Sequence, residues 1–168
     1  MNYRHIYHAG SFADVFKHIM LMLALDYLKQ KDKPFFALDT HAGIGLYDLQ
    51  SEEAQKTGEA AAGIGRLWGR TDAPEDIKKY LALIKKFYDG KELKLYPGSP
   101  LIMQEMLRGG DRMTVNELHP EDNKALRKNI GHDRRVRIEN MDGYVLMKSA
   151  LPPHERRGLV LCDPPFEV

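Results

Sequence analysis

The sequence has little cysteine, no excess of charge of one sign and no long apolar run. Cys162 is its only cysteine, which excludes an internal disulfide framework. The 25 Lys and Arg residues balance 24 Asp and Glu residues, so the net charge of +1 gives no argument for nucleic-acid binding. The longest apolar run, residues 19–25, is far shorter than the roughly 20 residues that cross a bilayer. Because no secretory signal pattern is present either, we expect a cytoplasmic protein that does not span a membrane.

The composition is that of a folded globular protein. Hydrophobic residues make up 43% and charged residues 29% of the 168 positions. A chain of this length can bury a core and is short enough to form one domain. We therefore expect a single domain over residues 1–168.

Helices and strands alternate along the chain. A helix is predicted over residues 13–30 with Ser11 as its N-cap, and an apolar strand over residues 35–39 runs into a polar, glycine-rich loop. The further predicted strands cover residues 113–118, 136–138 and 159–162, and the helices between them cover residues 120–129 and 144–150. This alternation predicts an α/β fold with a parallel sheet and right-handed crossovers.

Residues 47–110 interrupt the alternation and predict a helical insertion. Its clearest element is an amphipathic helix over residues 74–88, whose start signal is Asp72 with an acid three positions later. A short helix over residues 99–107 follows, with Ser99 in the N-cap position before a proline.

The last predicted strand is followed by only six residues, so it would lie at an edge of the sheet. An apolar edge strand is a poor surface to leave exposed. We therefore expect that the chain is truncated after the fourth strand of the sheet, or that another chain covers this strand.

Polar residues follow each predicted strand. They are residues 39–45, Glu117, Asp142 with Gly143, and residues 163–166. Ligands of open parallel sheets bind beyond the carboxyl ends of the strands, so we expect these groups to converge on one crevice. The glycine turn at residues 43–45 lacks the third glycine of a dinucleotide fingerprint and the lysine of a phosphate-binding loop, so both of those site types are disfavoured.

Two of these groups keep more than one interpretation open. Glu117 can accept hydrogen bonds from both hydroxyls of a ribose, or it can be a solvated loop acid. Asp142 with Gly143 can bind an adenine amino group, or it can simply form a turn. Neither pattern decides the question by itself.

The most specific pattern is Asp163-Pro164-Pro165-Phe166. Two prolines fix the backbone and remove two donors, so the carbonyl groups of this turn are held as acceptors. Asp163 adds a carboxylate, and Phe166 adds a ring on which a base can stack. The set suits the exocyclic amine of an adenine. The alternative is a proline-stiffened strand exit.

The four histidines nearest the N-terminus lack the spacing of known zinc sites and the acidic residues that accompany it, so we expect no metal. His18 follows Asp14 by one helical turn, which favours a hydrogen-bonded pair. Cys162 lies within the last apolar strand and is expected to be inert packing.

Several motifs together carry a resemblance to one protein family. They are Tyr3-Arg4-His5, His8-Ala9-Gly10, Ala13-Asp14-Val15, Lys17-His18, Leu38-Asp39-Thr40-His41-Ala42-Gly43, Tyr96-Pro97-Gly98-Ser99-Pro100, Glu117-Leu118-His119-Pro120 and Asp163-Pro164-Pro165-Phe166. With them, essentially the whole chain resembles the bacterial large-subunit ribosomal RNA adenine-N6 methyltransferase J family. Members of that family have also been described as competence proteins for the use of external DNA, and they continue well beyond the last motif.

This resemblance implies a Rossmann-like class I methyltransferase that uses S-adenosylmethionine to methylate N6 of one adenine in 23S ribosomal RNA. The residues implied for the methyl-donor pocket are His18, His41, Ser99, Glu117, Asp142, Gly143 and Asp163. Asp163 would also be the catalytic acceptor, within a turn completed by Pro164, Pro165 and Phe166. Tyr3, His5 and Lys17 would face the target adenosine. The implied partner is 23S ribosomal RNA in a protein-free or early-assembly form, bound by a monomer.

Two other functions stay open. The turn over residues 163–166 reads a base and not its sugar, so an adenine-N6 methyltransferase acting on DNA fits the same motif. The second alternative is a non-enzymatic nucleic-acid-binding protein of DNA uptake.

Overall fold

The structure, a computed structural model, describes residues 4–165. Its helices are α1 (Phe12–Lys29), α2 (Glu52–Thr57), α3 (Glu59–Ala62), α4 (Glu75–Lys85), α5 (Ser99–Met106), α6 (Pro120–Ile130) and α7 (Gly143–Ala150). Its strands are β1 (Phe36–Asp39), β2 (Leu46–Asp48), β3 (Leu95–Pro97), β4 (Arg112–Asn116), β5 (Val136–Glu139) and β6 (Gly158–Leu161). Short 3-10 turns cover His5–Tyr7 and Ile64–Arg66.

Four of the strands form a parallel sheet in the order β5-β4-β1-β6. The central strand β1 is buried along its whole length, and its last residue, Asp39, lies opposite Val115 of β4 and Leu161 of β6. Because the strands are parallel and in register, the loops that follow them emerge at the same edge of the sheet. The predicted α/β fold with a four-stranded parallel sheet is confirmed.

Helix α1 begins and ends within one residue of its predicted bounds. The hydroxyl of Ser11 accepts a 3.3 Å hydrogen bond from Asp14 N, which caps the first turn as predicted. The buried face of α1, with Leu21 and Leu25, packs in the core that also holds α5 and α4. None of the helices within residues 4–165 combines the length and the apolar character that a membrane span needs.

The helical insertion predicted over residues 47–110 needs a correction. Two of its segments are the strands β2 and β3, which pair antiparallel with Tyr47 opposite Tyr96. In addition, α5 packs against α1, β1 and β4, so it belongs to the layer that covers the main sheet. The segment is therefore not helical throughout.

The helices α4 and α5 begin within one residue of their predicted positions, but the two predicted capping residues are wrong. The first residue of α4 follows Pro74, and Asp72 instead accepts hydrogen bonds of 2.9 and 2.7 Å from the Arg70 guanidinium group. In α5 the N-cap is Gly98, whereas Ser99 is already helical and turns its hydroxyl toward the end of β1.

Strand β6 lies at the edge of the sheet, as predicted. It pairs with β1, and within the described residues no strand pairs with its other side. Its side chains from Leu159 to Leu161 are therefore only half-buried. Cys162 lies beyond the end of the strand and is exposed, so the prediction that it packs inside is wrong.

Candidate functional site

A cavity of about 270 Å³ lies at the carboxyl edge of the parallel sheet. The loops that follow β1, β4, β5 and β6 all reach it, which is where an open parallel sheet places its ligands. The predicted site residues that line it are His5, Lys17, His41, Ser99, Glu117, Asp142, Gly143, Asp163, Pro164 and Pro165. Tyr3 and Phe166 lie outside the described residues.

Glu117 fixes the loop that follows β1. Its Oε2 accepts a 3.0 Å hydrogen bond from Gly43 N, and its Oε1 accepts one of 2.8 Å from His119 N. Gly43 has a φ of 62°, and a side chain there would collide with the Tyr47 hydroxyl, so only glycine suits this turn. Each oxygen of Glu117 keeps a second lone pair with which to receive a ligand hydroxyl.

Asp142 and Gly143 form the start of α7. Oδ1 of Asp142 accepts hydrogen bonds of 2.9 Å from the backbone N–H groups of both Tyr144 and Val145. A Cβ atom on Gly143 would lie 2.7 Å from the carbonyl oxygen of Thr40 and 3.1 Å from His41 Cε1. Asp142 is thus a helix cap that also lines the cavity, and Gly143 lets α7 approach the loop after β1.

Ser99 and His41 are held by Asp39, which is fully buried at the end of β1. The Ser99 hydroxyl donates a 2.6 Å hydrogen bond to Asp39 Oδ2, and His41 N donates one of 3.2 Å to Oδ1. Burial raises the pKa of Asp39 to about 6, although the hydrogen bond from Ser99 opposes the shift. Burial also lowers the pKa of His41, whose Nδ1 lies 2.8 Å from Thr40 Oγ1.

Asp163 follows β6 and faces Lys17 of α1. The distance from Lys17 Nζ to Asp163 Oδ2 is 2.7 Å. Pro164 and Pro165 continue along the same wall of the cavity. His5 lies near Lys17, with its Nε2 3.0 Å from Asp14 Oδ2. A carboxylate, an ammonium group and an imidazole therefore lie close together on this wall.

His18 does not line the cavity. Its side chain is fully buried, with Nδ1 2.9 Å from the Tyr96 hydroxyl and 3.3 Å from the Tyr80 hydroxyl. Its Nε2 is 3.8 Å from Asp14 Oδ1, so the predicted Asp14–His18 hydrogen bond is wrong. Two tyrosines hold the ring in the core, where burial lowers the pKa of His18 to about 3. The structure shows no contact between His18 and the cavity to which the resemblance assigned it.

Sequence reasoning missed other residues that line the cavity, among them Arg4, Tyr47, Asp122 and Tyr144. Arg4 donates a 2.9 Å hydrogen bond to Asp122, which ties the N-terminal segment to α6. The position of Tyr144, directly after an Asp-Gly turn at a strand end, was a usable signal. The sequence contains no comparable signal for Asp122, which lies within a helix.

Within residues 4–165, no three His, Cys, Asp or Glu side chains form a metal-binding group. The cavity offers instead an acid with free lone pairs at Glu117, a close backbone approach at Gly143, and the Asp163 carboxylate beside two prolines. These groups suit a nucleoside ligand beside a second ligand that carries an amine. The parallel sheet and the cavity at its carboxyl edge are those of a Rossmann-like α/β protein.

Comparison with known proteins gives the family. A model of the family described as "Ribosomal RNA large subunit methyltransferase D, RlmJ" matches residues 32–168. The chain belongs to this family, and the resemblance inferred from its motifs is confirmed.

Individual relatives agree with this assignment. The "Ribosomal RNA large subunit methyltransferase J" of Haemophilus influenzae is 55% identical over 169 residues, which cover 100% of this chain and 60% of that protein. The protein of the same name from Escherichia coli is 48% identical over 168 residues, with the same coverage of 100% and 60%. The crystal structure of protein LPL1258 from Legionella pneumophila matches with a TM-score of 0.88 and 40% identity, covering 96% of this chain and 59% of that one. The chain thus spans about 60% of the length of the curated relatives it matches.

Proposed function

We propose that this chain carries the methyl-transfer site of an S-adenosylmethionine-dependent enzyme that methylates N6 of one adenine in 23S ribosomal RNA. The observation that carries the proposal is that Asp163 and its two prolines line the same cavity as Glu117 and Gly143. A set of amine acceptors and a set of nucleoside-binding groups then share one space, as transfer between two bound molecules requires.

The donor would be held by Glu117, Ser99, His41, Asp142 and Gly143. Glu117 would accept the ribose hydroxyls with the lone pairs that its two backbone partners leave free. The buried carboxyl group of Asp39 accepts hydrogen bonds from Ser99 and His41, so this part of the site is organised before a ligand binds. When bound, S-adenosylmethionine supplies a methyl group on a positively charged sulfur.

The acceptor would be an adenine splayed out of its stack. Asp163 and the carbonyl groups of the turn would accept hydrogen bonds from the N6 amino group and orient its lone pair. Asp163 would also stabilise the positive charge that builds on N6 as the methyl–sulfur bond breaks and the N6–methyl bond forms, and N6 would then release one proton to solvent. Because the amine is already neutral, no strong base is needed before transfer, and orientation supplies most of the rate. Phe166 is proposed to stack on the base and Tyr3 to contact the nucleoside.

The proposed partner is 23S ribosomal RNA in a protein-free or early-assembly form, met in the cytoplasm by a monomer. The names of the two relatives refer to ribosomal RNA, which favours RNA over DNA as the substrate.

Methyl incorporation tests this proposal. With labelled S-adenosylmethionine, the chain should label protein-free 23S ribosomal RNA, and digestion to nucleosides should give N6-methyladenine. Asp163→Ala should abolish labelling, while S-adenosylmethionine still binds to the variant in calorimetry. Asp76→Ala, an exposed position on α4, is the control and should label RNA as the wild type does.

Three results would count against the proposal. Full labelling by Asp163→Ala would remove Asp163 from the mechanism. Labelling of duplex DNA in preference to ribosomal RNA would favour the DNA methyltransferase. Absence of S-adenosylmethionine binding would favour a non-enzymatic nucleic-acid-binding protein.

A further inference from the structure

Asp14, in the first turn of α1, is buried yet directs both carboxylate oxygens at polar partners. Its Oδ2 accepts a 3.0 Å hydrogen bond from Gly10 N and lies 3.0 Å from His5 Nε2. Its Oδ1 lies 2.8 Å from Lys17 Nζ. His5 and Lys17 line the cavity, whereas Asp14 lies behind them and is only 2% exposed.

Lys17 connects Asp14 with Asp163. Its Nζ lies 2.8 Å from Asp14 Oδ1 and 2.7 Å from Asp163 Oδ2, so one ammonium group bridges two carboxylates. The Asp163 side chain is 42% exposed, whereas that of Lys17 is 18% exposed. An exposed carboxylate by itself samples several rotamers. Here a buried acid fixes the lysine, and the lysine in turn restrains the exposed acid.

We propose that Asp14 is a positioning residue for methyl transfer, which fixes Lys17 and His5 so that the Asp163 carboxylate keeps one orientation at the cavity. This inference rests on the proposed function, in which Asp163 receives the N6 amino group. The helix dipole alone does not account for the arrangement, because an acid in the first turn gains that interaction at the surface too and need not be buried for it. Asp14 is instead buried, and its oxygens face two residues of the cavity wall.

The charges of the cluster are consistent with this role. Burial alone would raise the pKa of Asp14, but the neighbouring His18, His5 and Lys17 side chains hold it well below its usual range. Burial alone would lower the pKa of Lys17, but Asp14 and Asp163 raise it above the ordinary lysine value. Both groups are therefore charged at neutral pH, and loss of the Asp14 charge would leave Lys17 buried with one partner fewer.

Asp14→Asn tests the inference, because it keeps the shape of the side chain and removes its charge. Asp26→Asn is the matched control. Asp26 lies on the same helix, and its ion pair with Lys29 is at the surface, with 3.0 Å between Oδ1 and Nζ. The control should behave as the wild type in every measurement.

The expected results separate positioning from donor binding. Misplaced Asp163 should lower the kcat for methyl transfer about 10-fold to 100-fold in Asp14→Asn. The Kd for S-adenosylmethionine should stay unchanged, because Asp14 does not line the cavity. In NMR the titration midpoint of Lys17 should fall by about one to three pH units, since an opposite charge within reach has been removed.

A wild-type kcat in Asp14→Asn would overturn the inference, and so would a loss of donor affinity as large as the loss of kcat. If the wild-type chain transfers no methyl group to RNA, the proposed function fails. The Lys17 midpoint then decides on Asp14 alone: a lowered midpoint in the variant supports its positioning role and an unchanged one overturns it. If Asp14→Asn does not fold, the wild type decides. Its Lys17 should titrate above the ordinary value of about 10.5, and a midpoint at or below that value would overturn the inference.

Discussion

The hydroxyl of Ser99 donates a 2.6 Å hydrogen bond to the buried carboxyl group of Asp39, a residue 60 positions earlier in the chain. Ser99 lines the cavity at the start of α5, whereas Asp39 ends the central strand β1. The sheet thus holds a residue of the site through a group that is itself hidden from any ligand.

The stability of the protein should depend on pH through Asp39. Burial raises the pKa of Asp39 from 3.8 to about 6, so the folded state binds this proton more tightly than the unfolded chain does. Its contribution to stability is fully present below the ordinary value and is lost as the pH rises through about 6. A shift of about two pKa units corresponds to roughly 3 kcal/mol.

Denaturant unfolding of wild type and Asp39→Asn from about pH 4 to pH 7 measures this effect. The free energy of unfolding of the wild type should fall relative to that of the variant across this range. Subtracting the free energy of unfolding of the variant from that of the wild type at each pH cancels the contribution of groups that titrate in both proteins. Parallel curves would show that Asp39 does not titrate as a buried acid.

Glu117→Gln should weaken the binding of S-adenosylmethionine. An amide in place of the carboxylate turns an NH₂ group toward one of the two backbone N–H groups and removes the charge that receives hydroxyls. We expect a Kd about 10-fold to 100-fold higher in calorimetry. Glu121→Gln is the control, because Glu121 pairs with Lys124 on the exposed side of α6 and should leave the Kd unchanged. Equal affinities of Glu117→Gln and wild type would rule out the ribose role.

Gly143→Ala should destabilise the protein and weaken donor binding together. The new methyl group would lie 2.7 Å from the Thr40 carbonyl oxygen, so α7 must move away from the loop after β1. Overpacking of this kind costs about 1 to 3 kcal/mol, which thermal unfolding detects. Gly109→Ala provides the comparison, since nothing lies within 4 Å of a Cβ atom there. Similar unfolding temperatures for the two variants would contradict the close packing at Gly143.

The parallel sheet was predictable because each of its strands is marked locally. β1, for example, is an apolar run that becomes polar at Asp39. The start of α1 is also marked locally, because the side chain of Ser11 caps the helix. The strands β2 and β3 carry no such mark. Each has three residues, too few for a period to show, and Tyr47 meets Tyr96 only through the tertiary fold.

The same distinction applies to the site. Glu117 and Asp163 could be expected at one cavity, because both follow strands of a parallel sheet. The partner of Asp39 could not, since Ser99 is 60 positions away. Of the partners of Asp14, Lys17 follows the helical spacing, whereas Gly10 and His5 come from the segment before the helix. For His18, helical spacing suggested Asp14 as the partner, whereas the ring bonds to tyrosines from segments whose position the sequence does not specify.

A crystal structure of the chain with S-adenosylhomocysteine, the product of the donor, would show whether the cavity is the donor site. The ligand should lie at the carboxyl edge of the sheet, with its ribose hydroxyls within hydrogen-bond distance of Glu117 and its sulfur facing Asp163. A ligand bound elsewhere, or a ribose remote from Glu117, would contradict this assignment.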